Sequence, residues 1–295
     1  MPAALPRIAT IVLAQRDNLA FEEAIATLPA TPDFCVLAEG KAFECMITNS
    51  VTHEDISEAL QASGIEADIG IFTSHNRRKK LLICDMDSTL IGQECIDELA
   101  DFAGVKDRVS EITERAMRGE LDFEDALTER VSLLKGLDLS VLQRCYTDRI
   151  TINPGAKTLC QTMKAHGAKT VIVSGGFTFF TERVAKACGF EAHQANVLLA
   201  GSHTLLGTVQ MPILGREAKL TAMQRNSQDI GGPDQAVAIG DGANDLAMIQ
   251  AAGLGIAYHA KPVVAAQAHC AITCTDLRTA LYYQGFSEDE FVDAG

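Results

Sequence analysis

The chain has 295 residues, and its 39 acidic side chains outnumber the 25 basic ones, which gives a formal net charge of −14. A hydrophobic fraction of 47% with 22% charged residues is typical of a globular protein and excludes a disordered chain. The acidic charge argues against a nucleic-acid partner, because proteins hold phosphate backbones largely through Lys and Arg.

No run of the sequence approaches the ~20 apolar residues that a membrane-spanning helix needs, so we expect no membrane partner. The short apolar run over 8–14 lacks the flanks of a signal peptide and is interpreted as a first strand. Nine scattered cysteines, an odd number, are typical of a reducing compartment. The expected location is the cytoplasm.

The first 76 residues are predicted to form a small α+β domain. Hydrophobic spacing and turn residues give the order βαββαβ, with strands over 8–13, 34–37, 43–47 and 67–72 and helices over 18–28 and from 52 or 53 to 64. This is the ferredoxin-like pattern. It resembles the ACT domain, an amino-acid-sensing module of metabolic enzymes. Sensing, simple packing and homodimer formation all stay open as roles for this domain.

A polar segment over 74–80 follows, with the basic run Arg77-Arg78-Lys79-Lys80. Four charges fall short of the basic runs that bind nucleic acid or direct targeting. The segment is interpreted as a solvated linker to a second domain over 77–295.

From residue 81 onward, short apolar runs alternate with helical patterns, which predicts a doubly wound, mostly parallel sheet. The predicted strands lie over 81–84, 170–173, 236–239, 254–257 and 271–273. The predicted helices lie over 154–166, 179–188, 217–226 and 243–252. An insertion over about 91–153 is helical nearly throughout. Because chemistry in such sheets collects at the carboxyl ends of the strands, we expect this insertion to form a helical cap over them.

Polar clusters follow three of the predicted strands, and a fourth opens a helix. They are Asp85-Met86-Asp87-Ser88-Thr89, Ser174-Gly175-Gly176, the run 240–245 (Gly-Asp-Gly-Ala-Asn-Asp) and Lys219. Each alone could be a turn or a helix cap, since such residues favour those positions for local reasons. Together they are expected to meet at one edge of the sheet.

These four clusters resemble the four motifs of the haloacid dehalogenase-like phosphohydrolases. More narrowly, the first motif, the downstream Glu94, the cap string over 130–136 and Gly255-Ile256-Ala257 before Lys261-Pro262 resemble the phosphoserine phosphatases of that superfamily. The resemblance extends over about 81–274. It implies hydrolysis of O-phosphoserine to serine and phosphate, the last step of serine biosynthesis.

The resemblance implies roles for the first carboxylates. Asp85 would be the nucleophile that forms an aspartyl-phosphate, and Asp87 would be the general acid and then the general base. Mg²⁺ would be the cofactor, held by the side chains of Asp85 and Asp241 and by the backbone carbonyl of Asp87.

Further residues are expected to hold the phosphoryl group. Lys219 would neutralise its charge and that of the nucleophile, while Ser174 and Gly175 would bind its oxygens. Asn244 would contact the phosphoryl group or the substrate. Asp245 is expected to support the metal shell by orienting a water or Lys219.

Residues of the cap are candidates for substrate recognition. Glu94 could accept the ammonium group of phosphoserine, and Arg130 could bind its carboxylate in a bidentate fork. Met117 and Phe123 would form an apolar wall that excludes water. Without the resemblance, core packing is the ordinary role of such a Met and Phe, and Glu94 and Arg130 could be surface charges.

Two other functions stay open at this point. A phosphotransferase of the same fold would pass the aspartyl-phosphate to another alcohol, such as homoserine. An amino-acid-binding regulator without catalysis would use the first domain as its sensor, although all motif carboxylates are present.

Overall fold

The computed structural model describes residues 7–28, 33–118 (apart from the side chain of Met117) and 120–293. The first unit has the order βαββαβ, which confirms the predicted pattern. Its elements are β1 (Arg7–Leu13), α1 (Asn18–Ile25), β2 (Phe34–Ala38), β3 (Ala42–Ile47), α2 (His53–Ala62) and β4 (Ala67–Thr73). The four strands form one antiparallel sheet in the order β2-β3-β1-β4.

Local sequence explains these elements. Phe21 of α1 stacks on Phe43 of β3 with ring centroids 3.7 Å apart, and both rings are buried between helix and sheet. Thr52 caps α2 in a reciprocal capping box with Asp55, which settles the start of that helix at His53. Helix α1 is shorter than predicted and ends at Ile25, although Leu28 is still buried in the turns that follow.

The remaining residues form an α/β core with a helical cap. Its elements in chain order are β5 (Leu81–Cys84), α3 (Cys95–Phe102), α4 (Lys106–Met117), α5 (Phe123–Ser132), α6 (Ser140–Arg149), α7 (Ala156–Ala165), β6 (Lys169–Phe177), α8 (Thr178–Cys188), β7 (Ala192–Asn196), β8 (Leu198–Ala200), β9 (Leu205–Val209), α9 (Arg216–Ser227), β10 (Ala236–Gly240), α10 (Leu246–Ala251), β11 (Leu254–Tyr258), α11 (Pro262–Ala265), β12 (Cys270–Ile272) and α12 (Thr279–Tyr282).

Six strands form one parallel sheet in the order β12-β11-β10-β5-β6-β7. Strands β5, β10 and β11 are buried at every residue, as expected for strands covered on both faces. The predicted parallel sheet is therefore confirmed. The edge strand β7 and the hairpin of β8 and β9 are additions that the sequence pattern did not predict.

The helices α3 to α6 form the cap, and its two ends lie side by side. Ile91 pairs with Ile152 in an antiparallel bridge, and the backbone N–H of Asn153 donates to the carbonyl of Leu90 at 2.9 Å. The side chain of Asn153 also donates to the carbonyl of Thr89 at 2.8 Å. The chain therefore leaves the core and returns to it at a single place.

The hairpin of β8 and β9 supports the cap from the side. The backbone N–H of Gly136 donates to the carbonyl of Leu205, and Leu205 donates to the carbonyl of Leu137, both at 2.9 Å. A Cβ on Gly207, which has φ +74°, would lie 2.7 Å from the Cβ of Lys135. Glycine is thus needed where the hairpin approaches the cap backbone. Among all these described helices, none has the length and apolar character that crossing a membrane requires.

A buried carboxylate joins the first unit to the core. Asp68 on β4 is 3% exposed and accepts hydrogen bonds from the backbone N–H groups of Thr273 and Thr275, at 2.7 and 2.9 Å. It also accepts from both threonine hydroxyls, at 2.7 and 2.6 Å. These donors follow β12, so Asp68 fixes the N-terminal sheet against the edge of the parallel sheet.

Replacing Asp68 by Ala should lower the free energy of unfolding by about 3 kcal/mol, because buried donors would lose their acceptor. Urea unfolding followed by circular dichroism measures this loss. The exposed Asp289 is the matched control, and Asp289→Asn should change stability by less than about 0.5 kcal/mol. Equal stability of the Asp68→Ala and Asp289→Asn variants would contradict the assigned role.

Candidate active site

A cavity of about 360 Å³ lies between the carboxyl ends of the parallel strands and the cap. The lining residues are Asp85, Asp87, Glu94, Ile96, Thr113, Ala116, Leu121, Phe123, Leu127, Arg130, Ser174, Gly175, Gly176, Phe177, Asp241, Ala243 and Asn244. Most of the candidate residues from the sequence therefore face one space. Lys219 and Asp245 lie beneath it, buried at 2% and 0% exposure.

Asp85 follows β5 directly and is held by its neighbours. Its backbone N–H donates to the carbonyl of Ile239 on β10 at 2.9 Å, and its Oδ1 accepts from the N–H of Met86 at 2.7 Å. Lys219 Nζ lies 2.7 Å from Asp85 Oδ2 and 2.6 Å from Asp245 Oδ1. One buried ammonium group therefore joins two carboxylates from different strand ends.

Asp87 has a different environment from Asp85. Its Oδ1 accepts from the backbone N–H of Cys95 at 3.0 Å, and its Oδ2 lies 3.4 Å from the hydroxyl of Ser174. Burial raises the pKa of Asp87 above its usual range. A Cβ on Gly176 would lie only 2.4 Å from Asp87 Oδ2, so glycine leaves the room that this carboxyl group occupies.

Asp85, Asp241 and Asp245 form an acidic cluster, with one oxygen of each within 4.8 Å of the others. Burial, and then the neighbouring charge of Asp245, raises the pKa of Asp241 to about 6. Burial also raises the pKa of Asp85, and Lys219 opposes that change only in part. Oxygen donors with an excess of negative charge fit a hard divalent cation.

The two oxygens of Asp245 already have protein donors. Lys219 donates to Oδ1, and the backbone N–H of Gly242 donates to Oδ2 at 3.1 Å. Asp241 Oδ1 accepts from the hydroxyl of Thr89 at 2.9 Å. Asp85 and Asp241 are therefore the members of the cluster that line the cavity, and Asp245 lies beneath them and positions Lys219.

The cap side of the cavity carries one acidic side chain, Glu94, and one basic side chain, Arg130. Glu94 precedes α3, and its Oε1 accepts from the hydroxyl of Ser88 at 2.7 Å. Burial, followed by the charge of Asp87, raises the pKa of Glu94 to about 7. Arg130 on α5 donates from Nε to the carbonyl of Ala126 at 3.2 Å, which orients its guanidinium group across the cavity wall.

Phe123 forms part of the apolar wall of the cavity. Phe123 at the start of α5 lies over Gly175, where an added Cβ would be 2.9 Å from the ring Cζ. Met117 ends α4, but its side chain lies outside the described residues. Asn244 and Gly175 both line the cavity.

The sequence did not identify Thr89, Ser88 and Thr113 as side chains that position groups of the site. Thr89 belongs to the first motif, so its contact with Asp241 had a signal in the sequence. Ser88 holds Glu94 from a left-handed backbone conformation, with φ +54°, and only the folded turn brings the two together. Thr113 accepts from Arg130 at 3.4 Å, a contact between two cap helices that no local pattern indicates.

The acidic cluster predicts a dependence of stability on divalent cations and pH. Because the pKa of Asp241 is raised on folding, its protonated form adds stability at low pH that is lost as the pH rises towards about 6. In EDTA at pH 7, Asp241→Asn should therefore raise the melting temperature by a few degrees. A divalent cation should stabilise the unmodified protein much more than this variant.

Differential scanning fluorimetry from pH 4 to 7, with EDTA or with a divalent chloride, measures both effects. The Asp289→Asn variant controls for the loss of one surface charge. An Asp241→Asn variant that melts below the unmodified protein in EDTA at pH 7 would contradict the repulsion between these carboxylates.

Comparisons with known proteins agree with this geometry. A family model described as haloacid dehalogenase-like hydrolase matches residues 82–250. A phosphoserine phosphatase of Streptomyces coelicolor is 43% identical over 79% of this chain, and the match spans 57% of that relative's own length. The chain thus spans less than two thirds of this curated relative.

Two solved structures are also similar. A probable phosphoserine phosphatase from Vibrio cholerae, in unliganded form, gives a TM-score of 0.79 at 30% identity, over 97% of this chain and 88% of that one. A phospho-aspartyl intermediate analogue of a phosphoserine phosphatase gives a TM-score of 0.65 at 39% identity, over 70% and 99% of the two chains. Since the family model also covers more than half of the residues, the chain belongs to the haloacid dehalogenase-like hydrolase family.

Proposed function

We propose that this protein hydrolyses O-phosphoserine to serine and phosphate with Mg²⁺ as cofactor, as the last step of serine biosynthesis. One observation carries the proposal: the cavity has Asp85 and Asp87 on its floor, and Glu94 and Arg130 on its cap wall. The names of the similar proteins support the same substrate. The floor suits phosphoryl transfer, and the wall suits a zwitterionic amino acid.

In the first step, a carboxylate oxygen of Asp85 attacks phosphorus and forms an aspartyl-phosphate while the bond to the serine oxygen breaks. The departing oxygen takes a proton from Asp87, whose raised pKa favours the acid form that can donate. The solved intermediate analogue of a relative supports a phosphorylated aspartate in this family. Ser174 and Gly175 would hold the oxygens of the transferred group.

In the second step, water attacks phosphorus and Asp87 accepts its proton, which releases phosphate and restores the Asp85 carboxylate. Phe123 closes the cavity above Gly175 and limits the access of other water. Lys219 keeps its contacts with Asp85 and Asp245, so positive charge stays beneath the reacting group throughout both steps.

Repulsion between the reactants explains the need for a cation. A carboxylate about 4 Å from each phosphate charge costs ~4 kcal/mol per pair at an effective dielectric constant near 20. Lys219 supplies one positive charge, which is shared with Asp245. The side chains of Asp85 and Asp241 and the backbone carbonyl of Asp87 would hold Mg²⁺, and the bound ion would supply the remaining charge neutralisation.

The cap residues would select the substrate. Glu94 as a carboxylate would accept the ammonium group, and Arg130 would bind the carboxylate of serine through its remaining guanidinium N–H groups. Both groups line the cavity, and partial burial lowers the pKa of Arg130 but leaves it a cation at neutral pH. A phosphate ester without these two charges would bind only through its phosphoryl group.

We further propose that residues 1–76 form a separate ACT-like domain, 77–295 form the phosphatase domain, and the protein works in the cytoplasm. Separate hydrophobic cores on β1 to β4 and on the parallel sheet support the division.

All nine cysteines are among the described residues and are free thiols, which fits a reducing compartment. Exposed Phe34 and Val36 on β2 support a homodimer through the first domain.

Phosphate release from a panel of phosphorylated small molecules, with Mg²⁺ or EDTA, tests the function. We expect phosphoserine to be the best substrate and EDTA to abolish turnover. Addition of homoserine or another alcohol shows whether the phosphoryl group goes to water or to an acceptor. Release that is equal for all esters, or unaffected by EDTA, would reject the proposal.

Asp85→Asn and Asp87→Asn should fail at different steps. Asp85→Asn removes the nucleophile, so acid-quenched protein should carry no covalent phosphate after mixing with labelled phosphoserine. Asp87→Asn keeps the nucleophile but should lower kcat by about 10²–10⁴. Labelled Asp85→Asn protein would disprove the assignment of the nucleophile, and full activity of Asp87→Asn would disprove that of the acid.

Arg130→Ala should lose the preference for phosphoserine over phosphoethanolamine, which lacks the carboxylate. Removing a charge-assisted bidentate contact should lower kcat/KM for phosphoserine about tenfold to a hundredfold. An aryl phosphate serves as the control substrate, because its turnover needs the floor of the cavity alone. An equal loss on all three substrates would show that Arg130 supports the cap and does not read the carboxylate.

A further inference from the structure

A second cavity, of about 320 Å³, lies where the first unit, the linker and the core meet. It is lined by residues of β4, of the linker over 75–79 and of the core, including Leu254 at the start of β11. Because β11 is parallel to β5, this is the opposite end of the sheet from the candidate active site. The described lining residues carry four basic side chains, His75, Arg77, Lys79 and His269, and no carboxylate.

Arg77 is the most enclosed of the four. Its guanidinium group forms an ion pair with Glu44 and donates to the hydroxyl of Thr10 at 3.0 Å and to the carbonyl of Tyr283 at 3.1 Å. Its Nε is buried and has no hydrogen-bond acceptor among the described protein atoms. Arg77 is therefore held mainly by groups of the chain itself, and its charge is balanced by Glu44.

Lys79 and His269 add two more donors. Lys79 Nζ donates to the neutral carbonyls of Asn76 and Asp234, both at 2.9 Å, which leaves its third N–H for another partner. His269 Nδ1 accepts from the backbone N–H of Gly255 at 2.8 Å, so the neutral ring carries its proton on Nε2. Burial lowers the pKa of His269, and the charge of Lys79 lowers it further. His269 is therefore neutral at neutral pH and presents its Nε2–H as a donor.

We propose that this cavity is a binding site for a small anion that carries a phosphate or carboxylate group. The charge of Arg77 is balanced by Glu44, whereas Lys79 forms no ion pair among the described residues, so its ammonium group and the ring N–H groups of the two histidines are the donors that line the cavity for an anion. Phe72 and Tyr283 form an apolar part of the wall, with ring centroids 5.3 Å apart, and can pack against an organic part of the ligand. The basic run of the linker thus has a role beyond solvation.

The position of the site also predicts an effect of the ligand on the contact between the first unit and the core. Phe72 belongs to β4, Lys79 to the linker and His269 to the core, so a bound anion contacts all three parts of the chain. Binding to the docked arrangement should therefore stabilise the contact between the first unit and the parallel sheet.

Nuclear magnetic resonance of the histidine rings of the full-length protein tests the proposal. Inorganic phosphate and, separately, benzoate are added at low ionic strength in EDTA, and the ring signals are assigned with His75→Gln and His269→Gln variants. No histidine is among the lining residues of the candidate active site, so phosphate bound there should leave these signals in place. We expect saturating shifts of His75 and His269 in the millimolar range with at least one of the two anions.

Lys79→Gln and Lys80→Gln form a matched pair, because Lys80 is the exposed neighbour that does not line the cavity. Loss of one charged contact should weaken binding about tenfold in Lys79→Gln and leave it unchanged in Lys80→Gln. Shifts with phosphate alone or benzoate alone identify which anion group the site takes. The absence of shifts with both anions, or equal weakening in the two variants, would overturn the proposal.

Discussion

The buried ammonium group of Lys219 is the contact on which the candidate site depends. It lies 2.7 Å from Asp85 and 2.6 Å from Asp245, where solvent reaches none of the three groups to any large extent. Burial of one cation between two carboxylates is stable only while all partners are present, since the loss of one leaves an unpaired charge in a medium of low polarity. This constraint fixes the carboxyl ends of β5 and β10 relative to α9. With Asp241 nearby, it also leaves the site with more negative than positive charge, which accounts for its fit to a divalent cation.

Much of the fold follows from patterns within short stretches of the chain. The central strands β5, β10 and β11 are fully buried, so each is a continuous apolar run that stands out in the sequence. The edge strand β7 has the sequence AHQAN and is exposed at its first two residues, so its composition does not distinguish it from a loop. Its pairing with β6 is decided by tertiary contacts that no local pattern encodes.

The floor of the candidate site was predictable for a topological reason, and its wall was less so. Asp85 and Asp241 directly follow β5 and β10, and Ser174 lies near the carboxyl end of β6, so strand prediction alone places the three at one edge of the sheet. Glu94 and Arg130 depend on how the cap folds back, and the contacts of Arg130 with Thr113 and of Glu94 with Ser88 join separate turns.

The prediction of a solvated linker fails at Arg77. A run of four basic residues is ordinarily solvated, but Arg77 pairs with Glu44 and donates to the carbonyls of Tyr282 and Tyr283.

The bridge between Ile91 and Ile152 bears on how substrates enter the cavity. Both crossings between the cap and the core lie side by side there, and the hairpin of β8 and β9 adds a second attachment through the hydrogen bonds of Leu205 to the cap backbone. Any opening of the cavity must therefore either carry the hairpin along with the cap or break those hydrogen bonds. Thr89 lies at the crossing itself, where Asn153 donates to its carbonyl, so the hydroxyl that holds Asp241 is fixed independently of the hairpin.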